Sequence, residues 1–299
     1  MRRWCTVSGL LSACILPLIL GGCPNAPGAL LGAAPPETTI VLTFDDGPLR
    51  SDAALPLHTS PDRLLAPLKT ILTTLKLRQI RAVFYLQGPG DPASGETLRP
   101  DFAAGVAAVA AHGQVAGYHA YDPAAVFWSE TLPDPALPGE MQSDLDELVS
   151  YLDSLLPAGT APTSVFTPVF RQPFGGFGAG RVAGRQVAAA RGWAYHGFDV
   201  DSLDWLGNAD VAQPIRDVMY GTVYETLCAA VVQEQLSEQT VRLRARPSQP
   251  QATFDVLMHV NGFTSRHLDE WIDVLQRAAT ADGGVVHFEV PAAYLETGA

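Results

Sequence analysis

The chain has 299 residues, of which 47% are hydrophobic and 17% charged, with a formal net charge of −12. Such an apolar share over that length supports a sizeable folded core rather than a disordered chain. The acidic balance argues against nucleic acid as a partner, since phosphate binding relies on clustered Lys and Arg, and leaves neutral or cationic ligands compatible.

Arg2 and Arg3 precede an apolar segment from Val7 to Leu20, too short to cross a bilayer comfortably as a mature helix and of the length of a secretory leader's core. It ends Leu20-Gly21-Gly22-Cys23. Small residues before a cysteine resemble a bacterial lipoprotein signal, in which residues 1–22 are removed and Cys23 is lipidated; an ordinary secretory leader with an incidental Cys23 is the alternative. The cysteine count agrees with the first. Cys5 and Cys14 leave with the leader, Cys23 is acylated, and Cys228 alone remains, in an apolar helical pattern that reads as a small buried hydrophobe. Residues 23–37, rich in Pro, Ala and Gly, then form a tether with a reach of roughly 20 Å. Residues 38–299 form one domain with no second linker and no internal repeat. Without Arg2 and Arg3 the chain keeps 17 basic residues against 31 acidic ones, a formal charge of −14.

The domain opens with an apolar run over 39–44 that ends in Asp45-Asp46-Gly47-Pro48. Val41, Leu42 and Phe44 suit a buried strand, and Gly-Pro stops it. Two adjacent carboxylates at the rim of a core repel each other and lose hydration, so the pair is either turn chemistry or half of a cation site. Further strands are expected over 82–86, 114–118, 167–170, 194–198, 254–258 and 285–288, and helices over 61–76, 102–111, 139–156, 181–191, 211–235 and 268–279. Strands alternating with helices imply a parallel sheet, and about seven repeats imply closure into a barrel-like form.

The polar residues fall where such a barrel assembles its site. Asp45-Asp46 follow the first strand, His119 the third, the segment from Arg171 the fourth, Asp199 to Trp205 the fifth and His259 the sixth. All stand at the C-terminal ends of parallel strands, the rim on which residues distant in sequence converge. Taken singly, each has a plainer explanation: His119 or His259 as a hydrogen-bonded core histidine, Arg171 as a surface ion pair. The acidic segment 199–205 is no calcium loop, because Leu203 stands where an acid or amide is needed and the bend lacks a glycine.

The stretches TFDDGP, GQVAGYHAYDP, FRQPFG, FDVDSLDW and VLMH occur in the order and approximate spacing of the polysaccharide deacetylases, the NodB-homology domains of carbohydrate esterase family 4, and the chain resembles that family over residues 39–290. The resemblance implies a deformed (β/α)7 barrel with its site at the C-terminal ends of the parallel strands, and metal-dependent removal of N- or O-linked acetyl groups from an envelope or extracellular polysaccharide. It further implies one divalent ion, zinc first with cobalt or manganese as alternatives, and an acetylated glycan as partner; the leader ending in Cys23 adds a lipid anchor in the cell envelope, on the periplasmic side or at the cell surface, and a monomer is expected. By the same likeness Asp45 resembles the general base, Asp46 and His119 resemble metal ligands, Arg171 the arginine that holds the base, and His259 the general acid oriented by Asp204. Trp205 and Leu257 resemble the apolar wall around the acetyl methyl, with Phe174 and Tyr85 as further substrate-binding residues.

The chain departs from the family after His119, where two histidines four residues apart are usual. Position 123 is proline and cannot ligate. Asp122 is the expected substitute, a carboxylate being a competent ligand for zinc and harder ions; otherwise Asp46 and His119 bind alone and the enzyme is impaired. Two other functions stay open, a non-catalytic glycan-binding relative and a hydrolase of a non-sugar amide.

Overall fold

The computed structural model describes residues 37–49, 61–176, 178–207, 221–245 and 251–296. The expected leader, Cys23 and all of the tether except Glu37 lie outside the described residues. Strands and helices alternate as β1 (Glu37–Gly47), α1 (Pro61–Arg78), β2 (Val83–Leu86), α2 (Pro92–Ala111), β3 (Val115–Tyr118), α3 (Leu137–Ser154), β4 (Phe166–Phe170), α4 (Gly178–Ala190), β5 (Ala194–Tyr195), β6 (Val200–Asp201), α5 (Gly221–Arg244), β7 (Gln251–His259), α6 (Gly262–Thr280), β8 (Val285–Phe288) and α7 (Ala292–Leu295). The strand order is β5-β4-β3-β2-β1-β7-β6, with β8 pairing to the first half of β1, and the described ladders are parallel.

β1 is the spine of this sheet. Ile40, Val41, Leu42 and Phe44 are all fully buried, the continuous apolar run expected of a parallel strand covered on both faces. Alternation sorts them: Ile40, Leu42 and Phe44 pack in the large cluster with residues of α1, α2 and α6, whereas Val41 packs with Val83, Tyr85, Val115, Val169 and Ala194 from four other strands. That second cluster is the inside of a curved sheet. In a flat sheet β4 and β7 would stand four strand spacings apart, about 19 Å, yet Arg171 at the end of β4 forms an ion pair of 2.7 Å with Asp255 of β7. The sheet is therefore curled, as the barrel-like form expected from the alternation and the deformed (β/α) barrel implied by the resemblance require, and its end strands β5 and β6 are consecutive in sequence.

Several boundaries differ from those read in the sequence. β1 runs on to Gly47, so Asp45 and Asp46 belong to the strand end rather than to a turn. α2 begins at Pro92, well before residue 102; Pro92 and Gly95 mimic a loop signal, but a proline in the first helical turn lacks only an N–H that has no intrahelical partner there. β5 stops at Tyr195, and the two-residue β6 is additional. α5 extends to Arg244, past residue 235, while its expected start at 211 lies outside the described residues.

Candidate active site

Asp45 and His259 are register partners on the adjacent strands β1 and β7, so their backbones stand one strand spacing apart, about 4.8 Å. Each is held from behind. The guanidinium of Arg171, wholly buried, donates from Nη1 to Asp45 Oδ1 at 3.1 Å and to the Thr43 hydroxyl. Its Nη2 donates to the Gly197 carbonyl at 2.7 Å and pairs with Asp255 Oδ1. The cation also lies 4.4 Å above the Tyr85 ring, which a small residue makes room for: a Cβ on Gly117 would come within 3.2 Å of Tyr85 Cδ1 and 2.8 Å of the Val169 carbonyl. Burial pushes the guanidinium pKa down, but the charges of Asp255 and Asp45 outweigh it and hold Arg171 well above its ordinary value.

His259 is gripped just as closely. Its Nδ1 donates to Asp204 Oδ1 at 2.7 Å and its backbone N–H to Asp204 Oδ2 at 2.7 Å. Asn261 Nδ2 reaches the same Oδ2 at 3.3 Å and the Thr264 hydroxyl donates to it as well. Asn261 is also the N-cap of α6, accepting from Thr264 N, so the start of that helix fixes two of the carboxylate's donors. Burial pushes the His259 imidazole down, yet the Asp204 charge and hydrogen bond, with the charges of Asp46 and Asp45 beyond, raise it to about 10. Asp204 moves the other way: burial raises it, and His259 and Thr264 bring it below the usual carboxylate range.

The third pair is Asp46 and His119. His119 Nδ1 faces the Arg171 carbonyl at 2.7 Å; a carbonyl can only accept, so Nδ1 carries a proton and Nε2 points outward, 3.4 Å from Asp46 Oδ1. Burial pushes this imidazole down, but the charges of Asp45 and Asp46 outweigh it and raise the group above its ordinary value. Burial raises the Asp46 carboxyl, but the hydrogen bond to His119 and the charges of His259 and His119 hold it below its ordinary value. An imidazole fixed by a backbone carbonyl, with its other nitrogen beside a carboxylate, would offer two donors to a divalent ion once that nitrogen gives up its proton.

Asp122 is not brought to that pair. Its Oδ1 accepts from Ala124 N at 3.1 Å and lies beside Gly90, while its own N–H donates to Asp144 Oδ1 at 2.9 Å. It is a local turn cap, and the reason is Pro123, which bends the chain so that Pro123 and Ala124, not Asp122, line the cleft. Among the described residues no group of three His, Cys, Asp or Glu side chains is gathered to hold a metal, so the fit covers two protein ligands and not three.

The cleft over these groups has a volume of about 560 Å³ and is lined by Asp45, Asp46, His119, His259, Leu257, Phe174 and Trp205, with Gln87, Phe198 and Asp201 around them. Phe174 and Trp205 are 56% and 39% exposed, presenting aromatic faces to a ligand. Tyr85 does not reach the cleft. It is fully buried, because the inner-face position it occupies lies beneath Arg171, and its role is to support that cation. Asp46, Phe174 and Leu203 also have φ of 62°, 58° and 62°, backbone strain of the kind that collects at working sites. Sequence reasoning passed over Asp255, although a charge inside the buried run of β7, two and four residues before Leu257 and His259 on the same face, is a readable signal. Tyr294 and Thr264 had none.

No protein-family model matches the chain, and no curated protein matches it in sequence. Solved structures do. The catalytic domain of a peptidoglycan N-acetylglucosamine deacetylase from Eubacterium rectale superposes with a TM-score of 0.51 at 16% identity, covering 92% of this chain and 97% of that one. A family 4 carbohydrate esterase from Streptomyces lividans in complex with acetate gives 0.50 at 16% identity, covering 87% and 96%. This chain has the fold of the family 4 carbohydrate esterases. A family 4 pseudoenzyme from Bacillus anthracis shares the fold too, at TM-score 0.50 and 17% identity over 88% of this chain and 67% of that one. The family 4 fold thus frames the cleft and leaves its activity to be argued from the side chains.

Proposed function

We propose that the protein is a metal-dependent hydrolase that removes acetyl groups, N- or O-linked, from an envelope or extracellular polysaccharide. The observation that carries this reading is the side-by-side placement, on β1 and β7, of a carboxylate clamped by an arginine and a histidine clamped by a carboxylate, which is an acid–base pair built from four residues distant in sequence. Asp45 takes the proton of the attacking water, held in register by Arg171. His259, kept protonated by Asp204, donates its proton to the departing amine or alcohol. Asp46 and His119 hold the divalent ion, zinc in the first instance, which supplies Lewis-acid polarisation and a lowered water pKa when bound. Leu257 and Trp205 enclose the acetyl methyl, and Phe174 stacks on a sugar ring. The protein works outside the cytoplasm, anchored through lipidated Cys23; no described helix is long and apolar enough to cross a membrane.

The test is acetate release from N-acetylglucosamine oligomers and from O-acetylated xylan, with zinc, cobalt or manganese and after chelation. Metal-dependent release is expected, and Asp45→Asn is expected to lower it by about a thousandfold with metal content unchanged. Release from neither substrate with any of the three metals overturns the reading. A non-catalytic glycan-binding relative then takes its place, a reading that the turn-capping position of Asp122 favours.

A further inference from the structure

Behind the cleft, and lining none of it, lies a second carboxylate. Asp255 is buried and ringed by donors: Arg171 Nη2 at 2.7 Å on Oδ1, the Tyr294 hydroxyl on Oδ2, and, 3.0 Å from Oδ1, the Thr43 hydroxyl, whose one proton is shared with the Val256 carbonyl at 2.9 Å. Tyr294 comes from α7, the last described helix, and reaches the barrel interior where its ring stacks on His196 at 3.9 Å and 15°. Its single hydroxyl proton goes to Asp255, so at the 3.0 Å contact between the two phenols Tyr85 is the donor. The chain Tyr85–Tyr294–Asp255–Arg171–Asp45 therefore runs from the C-terminal segment to the cleft with every hydroxyl proton assigned.

A lone arginine clamped to one carboxylate could swing with it. Arg171 cannot, because Asp255 and Gly197 hold Nη2, the nitrogen turned away from Asp45, while Thr43 shares Nη1 with Asp45. We infer that Asp255 and Tyr294 are positioning residues for the reaction proposed above: they fix the plane of Arg171, and so the carboxylate of Asp45, without touching substrate. The inference rests on that reaction for its kinetic consequence but not for its structural one. A burial-raised Asp255 carboxyl that Arg171 and Tyr294 only partly bring back fits a group kept for geometry, since a wholly apolar floor would be simpler to bury.

Two measurements on the full chain test this. With zinc supplied and 4-nitrophenyl acetate and N-acetylglucosamine oligomers as substrates, Asp255→Asn is expected to lower kcat by about tenfold to a hundredfold with KM within about twofold, the pattern of misplacement rather than lost binding. Tyr294→Phe, which removes one oxygen, should lower kcat by a few fold, and the double variant should be no worse than Asp255→Asn alone, because both act through one chain of contacts. Independently of turnover, ¹⁵N NMR of arginine side chains, with the Arg171 signal assigned from an Arg171→Lys sample, should show slow guanidinium rotation in the wild type and fast rotation in Asp255→Asn. Unchanged rotation in a folded Asp255→Asn protein, or freed rotation with unchanged kcat, overturns the inference. If the wild type releases no acetate, the proposed function fails and the rotation measurement alone decides the positioning role.

Discussion

Asp45 and His259 are each gripped by buried partners from other parts of the barrel, whereas Asp46 and His119 face one another across 3.4 Å and find no third ligating side chain among the described residues. In the first half Asp45, Asp255 and His259 lie within β1 and β7, Arg171 stands one residue past β4, and the β1–β7 register fixes the separation of Asp45 from His259. In the second half Asp46 lies within β1, and only the expected third ligand falls well beyond a strand end. His119 stands one residue past β3 and Asp122 four past it, in a loop held by Asp144 rather than by the sheet. The acid–base geometry is complete while the ion site lacks a ligand, because the residue expected as the third ligand stands on a loop and not at a strand end.

The largest effect should come from breaking the rigid half. Asp204→Ala strands His259 Nδ1, the His259 backbone N–H and the Thr264 hydroxyl without their acceptor, in a position that is fully buried. A loss of about 3 to 5 kcal/mol in unfolding free energy is expected, since removing one partner of a buried pair leaves the other uncompensated. The isosteric Asp204→Asn should fold better and still lose at least about a hundredfold in acetate release, the scale of general acid–base catalysis. Chemical denaturation and initial rates, read together, separate the two consequences. Equal rates in wild type and Asp204→Asn would mean that the buried dyad is structural and that the two halves do not differ in function.

The ion-binding half is tested by titrating zinc into metal-free protein. His119→Ala and Asp46→Ala should abolish specific uptake. Asp122→Ala should leave it within the tenfold that even a supporting group typically contributes, costing instead about 1 kcal/mol of stability as a lost turn cap. Pro123→His places an imidazole on a residue that already lines the cleft, and should tighten zinc binding by at least about tenfold, a third nitrogen ligand suiting that ion. If Asp122→Ala weakens zinc as severely as His119→Ala does, the loop swings Asp122 into the site and the contrast between the halves disappears.

The same contrast governs what was legible in the sequence. Asp45, Arg171 and His259 were readable because apolar alternation locates strand ends, and strand ends locate the rim, whereas Asp204 was singled out within its acidic segment by the family resemblance alone. Asp122 misled because its distance from His119 is one of spacing alone, and Pro123 decides which residue of that loop faces inward. Tyr85 was placed one layer too high: period-two alternation gives the face of a strand but not the depth along the barrel axis. Tyr294 was invisible for a different reason, since its partner lies 39 residues away on β7 and only the closed barrel brings the two together. The short β6 and the early start of α2 lack any strong periodic signal, and tertiary packing rather than propensity sets them.

A further, pH-dependent effect of similar size to the lost turn cap belongs to His196, which packs against the rigid half from behind. Burial, and after it the Arg171 charge, lowers its pKa to about 4, and its Nε2 is buried without a protein hydrogen-bond partner. In the unfolded chain the same imidazole titrates near 6.5. Between those two values the unfolded state binds the extra proton, so this group's stabilising contribution is complete above about pH 6.5 and is lost as the pH falls toward 4. At pH 5.5 the loss should be about 1.4 kcal/mol, one pH unit below the unfolded value. His196→Phe keeps an aromatic ring against Tyr294 and removes the proton site. Urea midpoints at pH 7, 5.5 and 4.5 should therefore fall more steeply for the wild type than for the variant. Parallel slopes would show that His196 titrates normally in the folded protein, and that the floor beneath Arg171 is wetter and looser than the clamp around Asp45 requires.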